Sequence, residues 1–380
     1  MSVELQVDLG GLKMKNPITV ASGTFGSGRE YAALWGAQPG AGERKWEEKG
    51  KEKGKEKGEE KGEWNDSVRL DALRRQREEG REEQGKEQGK ENDASALNAL
   101  RERCSDSPLS VLGAVITKGV SLEPWGGNSG IRIAETASGM LNSIGLQNSG
   151  VEQFCAHDLA WLAEQDVPVI VNVSGHHVEE YARVVARLEQ EAAVSAYELN
   201  ISCPNVDHGG MSFGTDVQAA AEVTAACREE TRRPLIVKLT PNVTDITEIA
   251  RSVEAAGADA LSLINTVAGM AIDSNKRALV FDRVVAGLSG PAIKPIALYA
   301  VYRVHEAVKL PLLGMGGIRS VEDVVEFLLA GATAVSVGTA NFIDPFTAPR
   351  LVQDLKEWCE SEGMDDIGAL ELDEYSERRS

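Results

Sequence analysis

The sequence lacks several things, and each lack removes a class of function. Its five cysteines, Cys104, Cys155, Cys203, Cys227 and Cys359, include no CxxC or other close pair, so no zinc or iron–sulfur site built from this chain alone is expected. An odd number of scattered cysteines suits a reducing cytosol better than a disulfide scaffold. Positive charge is in deficit: 40 Lys and Arg against 59 Asp and Glu leave a net −19, which opposes general binding to phosphate backbones. No window approaches the roughly 20 apolar residues of a membrane span. The opening "MSVELQVDLG" has no apolar run of the signal-peptide kind. The expectation is a cytoplasmic protein with no nucleic-acid and no membrane partner. What is present is a hydrophobic fraction of 42% in 380 residues, enough to fill the core of one large domain or two small ones.

Residues 40–107 differ from the rest. They contain "KGKEKGKEKGEEKGEW", with Gly50, Gly54, Gly58 and Gly62 at intervals of four. From Glu43 to Asp106 there are 17 basic and 19 acidic residues, so the remainder of the chain carries −17 of the −19. So few apolar side chains cannot offset the entropy of ordering, and each glycine costs a helix about 1 kcal/mol relative to alanine. The segment reads as a largely disordered insert with transient helix, more so at Ser67–Arg77 and Ala94–Arg103. A partner-docking tether is the functional alternative.

With the insert set aside, 1–39 and 108–380 show a regular alternation. Strand candidates are Ile18–Ser22, Ala114–Lys118, Val169–Val173, Ala196–Ile201, Leu235–Leu239, Ala260–Ile264, Leu312–Met315 and Ala334–Val337. Between them lie amphipathic stretches such as "HVEEYARVVARLEQEAA", "DVQAAAEVTAACREE", "DITEIARSVEAAG" and "SVEDVVEFLLAG", with apolar residues at spacings of three and four. Alternating strands and helices imply parallel pairing, and eight units predict a (β/α)8 TIM barrel. A doubly wound open sheet is the runner-up. "VELQVDLGGLKMKNP" predicts an N-terminal hairpin. The insert follows the helix "REYAALWG" and precedes the second strand, so it is expected on the N-terminal face, away from the chemistry.

Active sites in such barrels sit at the C-terminal strand ends. Those ends read Ser22-Gly23-Thr24, Lys118-Gly119, Asn172, Asn200 with Cys203, Lys238, Asn265-Thr266, Gly316-Gly317 and Gly338-Thr339. "GMGGI" and "SVGTA" close the seventh and eighth strands, where backbone N–H groups commonly hold a phosphate; tight turns alone would also use these glycines. Lys118 and Lys238 end apolar strands, where an unpaired lysine is costly. They either face an electron-rich ligand or snorkel to the rim. Asn142, Asn172, Asn200, Asn205 and Asn265 each offer a donor and an acceptor, which suits a pyrimidine edge, although any one alone could be a turn residue. Cys203, in "ELNISCPNVDHGG", has no cysteine nearby. A buried structural thiol is the common reading of an isolated cysteine. Its place past a strand end favours a general base or a nucleophile.

"ELNISCPNVDHGGMSFG", with "ASGTFG", "TKGVSLEPWGGN", "MLNSIGLQNSG", "INTVAGMAID", "GLSGPAIKPIAL" and "GMGGI", strongly resembles class 1 dihydroorotate dehydrogenase. "SGTFG", "GLSGPAIKP" and "NVDHGG" resemble the catalytic subunit of its NAD-linked class 1B more than the fumarate-linked class 1A enzyme. The resemblance covers nearly all of the chain except the insert, and "GNSGIRIAET" departs from it where a proline-bearing turn would be expected. It implies a TIM barrel that binds FMN and oxidises dihydroorotate to orotate in pyrimidine biosynthesis. It implies Cys203 as the base that removes the C5 proton while the C6 hydride passes to flavin N5. Flavin contacts are implied for Ser22, Lys118, Gly119, Asn172, Asn200, Lys238, Ile264, Gly290, Gly316, Gly317, Gly338 and Thr339. Substrate contacts are implied for Lys118, Asn142, Ser143, Ile144, Gly145, Leu146, Asn200, Asn265 and Thr266, under a closing loop at Asp207–Gly214. The family further implies a homodimer within a heterotetramer, whose second subunit carries FAD and a 2Fe–2S cluster and passes electrons to NAD. A flavin barrel acting on another pyrimidine remains open, as does a non-catalytic scaffold presenting the insert. A dihydrouridine synthase-like enzyme would need a basic RNA-binding surface, which the −17 barrel lacks.

Overall fold

A computed structural model describes residues 3–36, 108–202 and 213–372. The chain divides into two units, Met1–Gly28 with Leu109–Ser380, and Arg29–Pro108. Of the second, the described part is the helix Arg29–Gly36 and Pro108. Tyr31 and Trp35 pack edge to face in that helix, with ring centroids 6.2 Å apart. The expected helices at Ser67–Arg77 and Ala94–Arg103 lie outside the described residues.

The first unit begins with the expected hairpin, β1 (Val7–Leu9) and β2 (Leu12–Met14), paired antiparallel. Gly10 and Gly11 turn it with φ of 65° and 94°, angles that favour glycine. A Cβ on Gly10 would also fall 2.3 Å from the Asp259 carbonyl oxygen, so only glycine lets the turn approach that backbone.

The remaining strands are β3 (Ile18–Val20), β4 (Ala114–Ile116), β5 (Ile133–Thr136), β6 (Gly139–Asn142), β7 (Val169–Val173), β8 (Val194–Leu199), β9 (Leu235–Lys238), β10 (Ala260–Leu263), β11 (Val267–Gly269), β12 (Ile272–Asp273), β13 (Ala278–Leu279), β14 (Ala286–Ser289), β15 (Leu312–Met315) and β16 (Ala334–Val337). Eight of them, β3-β4-β7-β8-β9-β10-β15-β16, close a barrel in which neighbouring strands run parallel. This is the predicted TIM barrel. All eight strand candidates are in it and in order, because strands buried on both faces read as continuous apolar runs. Several expected ends lay too far on: pairing stops at Val20, Ile116 and Leu263 rather than at Ser22, Lys118 and Ile264. The chain leaves the ladder there to form the loops of the mouth.

Helices return the chain between strands, as their apolar spacing predicted. Three of their starts carry the polar caps expected of Asp and Ser. Asp216 accepts from the Ala219 N–H (2.8 Å) at Val217–Glu230, and Asp245 from the Thr247 N–H (3.0 Å) at Ile246–Ala255. Ser320 and Asp323 form a reciprocal capping box at Val321–Leu329.

Side chains alternate along a strand, and inside the barrel this alternation makes layers. Leu9, Leu12 and Met14 of the hairpin pack with inward residues Ala114, Ile116, Ile170, Ala196, Ile236, Ala260, Leu313 and Ala334 in one apolar cluster. Two residues further along five of those strands the series turns polar: Asn172, Glu198, Lys238, Ser262 and Ser336, all buried. The barrel thus has an apolar floor and a polar mouth. Above the mouth, the loops after β4 and β10 supply a four-stranded antiparallel sheet, β11-β14-β6-β5, which the sequence reading did not anticipate.

Candidate active site

Four residues of the polar layer, Asn172, Glu198, Lys238 and Ser262, form one connected network. Glu198, at the upper end of β8, has no exposed surface. Its Oε1 accepts from Ser262 Oγ (2.7 Å) and its Oε2 from Asn172 Nδ2 (2.5 Å). Lys238 Nζ lies 3.6 Å from Oε2, and both side chains of this ion pair are buried. Lys238 also donates to Ser22 Oγ (3.1 Å), which ties β9 to the end of β3 across the barrel. Two buried charges of opposite sign with further hydrogen bonds satisfy each other; either alone would be unpaired in a low-dielectric interior.

From Asn172 the network runs toward the rim. Asn200 Nδ2 donates to Asn172 Oδ1 (3.4 Å), Ser202 Oγ to Asn200 Oδ1 (3.2 Å), and Asn265 Nδ2 to Ser202 Oγ (2.6 Å). Asn265 Oδ1 accepts from the Thr266 N–H (2.8 Å). Tyr181, from the helix Val178–Leu188, holds the strand end by donating to the Asn200 carbonyl (2.9 Å). The structure therefore brings Ser22, Asn172, Asn200, Lys238, Asn265 and Thr266 into one assembly.

Asn142 joins it through the upper sheet. Its Nδ2 donates to the Gly287 carbonyl (3.2 Å), and a Cβ on Gly287 would fall 2.2 Å from Thr266 Oγ1. Glycine there lets the loops after β4 and β10 meet. Ser143 is buried, and its Oγ and carbonyl accept from Asn128 Nδ2 (3.1 and 3.2 Å). Asn128 N–H donates to the Ile144 carbonyl (3.0 Å). Gly145 and Leu146 follow with φ of 74° and 54°, the latter a strained value for a non-glycine residue.

A second group gathers Gly290, Gly316, Gly317, Gly338 and Thr339. Gly290, Gly316 and Gly317 have φ of 96°, 133° and 85°. A Cβ on Gly317 would lie 2.9 Å from the Gly290 carbonyl oxygen, and one on Gly290 would lie 3.6 Å from Thr339 Cγ2. Thr339 Oγ1 donates to Ser289 Oγ (2.8 Å). Among the described residues, the N–H groups of Gly317 and Thr339 meet no acceptor. Glycine backbones packed this closely with free N–H groups suit an oxyanion such as a phosphate. Ile264 links this group to β15 through its N–H to the Met315 carbonyl (3.0 Å). Strand β6 spans the two assemblies, with Gly139 against Gly290 at one end and Asn142 at the other.

Lys118 and Gly119 follow β4. Lys118 N–H donates to the Gly26 carbonyl (3.2 Å), and a Cβ on Gly119 would lie 2.9 Å from Ser174 Oγ and 3.1 Å from Asn172 Oδ1. Among the described residues, Ser174 Oγ and Ser336 Oγ are buried and meet no hydrogen-bond partner. Buried hydroxyls are seldom left so, and these two lie just past Asn172 on β7 and on β16.

Cys203, Asn205 and the Asp207–Ser212 part of the expected closing loop lie outside the described residues. The described cysteines are poor thiolate candidates. Burial pushes the Cys155 thiol up to about 11 and the Cys227 thiol up to about 12, and it raises Cys359 as well. Among the described residues no cluster of His, Cys, Asp and Glu could hold a metal ion, and no helix is long and apolar enough to cross a membrane.

The sequence reading missed Glu198, Ser202, Ser262, Ser174 and Ser336. Their signal was present: each is a polar residue at an inward position within or just past an apolar strand. It emerges only when neighbouring strands are aligned in register.

Comparison with known proteins agrees with this architecture. The family model described as dihydroorotate dehydrogenase matches residues 100–359. The dihydroorotate dehydrogenase B (NAD(+)) catalytic subunit of Desulforamulus reducens is 43% identical over 370 residues, covering 97% of this chain and 98% of that protein. That of Pelobacter propionicus is 42% identical over 375 residues, covering 98% and 100%. The one from Trichlorobacter lovleyi is 52% identical over 262 residues, covering 69% and 86%. In fold, the crystal structure of DHODH from Eimeria tenella in complex with ferulenol superposes with a TM-score of 0.66 at 18% identity, covering 97% of this chain and 88% of that one. A family match of this extent, with full-length relatives at this identity, places the chain in the dihydroorotate dehydrogenase family.

Proposed function

We infer that this chain is the catalytic subunit of an NAD-linked dihydroorotate dehydrogenase, oxidising dihydroorotate to orotate for pyrimidine biosynthesis. The observation that carries this reading is the near-complete two-way coverage by relatives named dihydroorotate dehydrogenase B (NAD(+)), catalytic subunit. The linked amides and ion pair at the mouth support it. The relatives' name also favours NAD over fumarate as the final acceptor.

The residues present fit FMN. The Gly290, Gly316–Gly317 and Gly338–Thr339 cradle would hold its phosphate. Ser22, Lys118, Gly119, Asn172, Asn200, Lys238 and Ile264 would line its ring. When bound, FMN supplies a two-electron acceptor for the hydride that leaves substrate C6. The chain's own residues supply the rest. Asn142 to Leu146, Asn200, Asn265 and Thr266 orient the pyrimidine, with Lys118 against its carboxylate. Cys203, as a thiolate, takes the C5 proton. Loss of that proton and the C6 hydride leaves the C5=C6 double bond of orotate. Lys238 places positive charge where negative charge develops. Closure of the Asp207–Gly214 loop would exclude water from the thiolate.

"Catalytic subunit" in the relatives' name supports a complex. We read the partner as an FAD and 2Fe–2S subunit around a homodimer of this chain, in the cytoplasm. We read 1–39 and 108–380 as the flavin-binding barrel and 40–107 as an insert that leaves the chemistry intact. The test is purification followed by anaerobic titration. The protein is expected to be yellow, to release FMN on denaturation, and to bleach in the flavin band on addition of dihydroorotate. Colourless protein, or flavin that stays oxidised with that substrate, contradicts the reading.

A further inference from the structure

The hydrogen bonds of the mouth share one direction. Asn265 donates to Ser202, Ser202 to Asn200, Asn200 to Asn172, and Asn172 to Glu198. Ser202 has a single O–H, and with that proton given to Asn200 Oδ1 the hydroxyl can only accept from Asn265. A carboxylate only accepts, so the amide of Asn172 must turn its NH2 toward Glu198 and its carbonyl toward Asn200. That choice turns the NH2 of Asn200 inward and its carbonyl toward Ser202. Glu198 is thus the terminus from which every amide in the chain takes its polarity, and its other oxygen is anchored by Ser262. The same carboxylate faces Lys238 at 3.6 Å. A buried ion pair is a poor device for stability alone, because apolar residues of similar size usually serve as well or better.

We propose that Glu198 is a positioning residue that orients the Asn172, Asn200 and Asn265 amides and holds Lys238 in place, so setting which hydrogen-bonding groups the mouth presents to the pyrimidine edge. This rests on the dihydroorotate reading above. Glu198→Gln keeps the shape but offers an NH2, which can donate to Asn172 and release its amide to turn. It also removes the charge opposite Lys238. A reversed amide sets donor against donor on a ligand whose C=O and N–H groups alternate, and the penalty falls on ligand binding beyond any loss of stability.

The experiment measures orotate dissociation constants for the FMN-loaded protein, from the change in the flavin spectrum, alongside FMN content and melting temperature. Wild type binds orotate and is bleached by dihydroorotate. Glu198→Gln is expected to retain FMN and weaken orotate about 10- to 100-fold, whereas Ser262→Ala, which leaves the Asn172 contact in place, shifts it much less. If Glu198→Gln fails to fold, Glu198→Asp carries the same test: it keeps the charge but draws the carboxylate back from Asn172, and a several-fold weakening is expected. Whichever variant folds, an orotate constant within about 2-fold of wild type beside a lowered melting temperature reduces Glu198 to a structural role and overturns the proposal. A wild type that binds no orotate overturns the dihydroorotate reading, and this one with it.

Discussion

The two ends of one barrel differ more than any two segments of the sequence suggest. At the floor, Leu9, Leu12 and Met14 meet Ile170, Ala196, Ile236 and Ala260 in a buried apolar cluster. One inward step higher on the same strands stand Asn172, Glu198, Lys238 and Ser262, bonded to one another. The backbone ladder is common to both ends, so only side-chain chemistry separates them. The floor contributes hydrophobic burial and tolerates any filling of the right volume. The mouth contributes little net stability, since buried charges lose in desolvation much of what they gain in attraction. Its worth lies in direction, with each donor and acceptor facing one way.

This contrast can be broken from either side. The largest effect is expected outside the described residues, at the group the mouth is proposed to serve. Cys203→Ala should bind FMN yet slow its reduction by dihydroorotate roughly 10²- to 10⁴-fold, read by anaerobic stopped-flow absorbance. Lys238→Met should lower unfolding free energy by about 3–5 kcal/mol, because Glu198 is left as a buried unpaired charge. Replacing both, as Glu198→Leu with Lys238→Met, should restore most of that stability and leave flavin reduction abolished, since the mouth then becomes a second floor. Urea unfolding and the anaerobic half-reaction measure the two properties separately. Met14→Ala should do the opposite, costing about 2–5 kcal/mol through a floor cavity while the rate of flavin reduction in the folded protein stays near wild type. Gly317→Ala should cost about 1–3 kcal/mol through its left-handed φ and its approach to Gly290, seen as weaker FMN retention. Deletion of Gly42–Asp106 should change flavin reduction least, and abolished reduction would contradict its assignment as an insert.

Much of this was legible in the residues. The eight barrel strands were visible because runs such as "VIVNV" and "LIVK" are buried on both faces and so stay apolar. Asp216, Asp245 and Ser320 marked helix starts because capping is local chemistry. The upper sheet was not legible. Strand β11 is three residues long, and β5 and β14 hold mostly half-exposed residues. Neither a period nor a propensity stands out in pieces that short. The site was legible in part. Lys238 and the asparagines drew attention as polar residues at strand ends. Glu198 did not, because its meaning depends on Asn172 and Lys238 from neighbouring strands, a relation set by barrel register rather than by sequence spacing.

The most direct measurement of the central claim is product formed in the anaerobic half-reaction. Dihydroorotate is mixed with an excess of the purified, FMN-loaded protein, and orotate is quantified by its ultraviolet absorbance against the flavin bleached. The account predicts orotate appearing in step with flavin reduction, in equal amount and at the same rate. Flavin reduction without orotate, or no reduction at all, would contradict it.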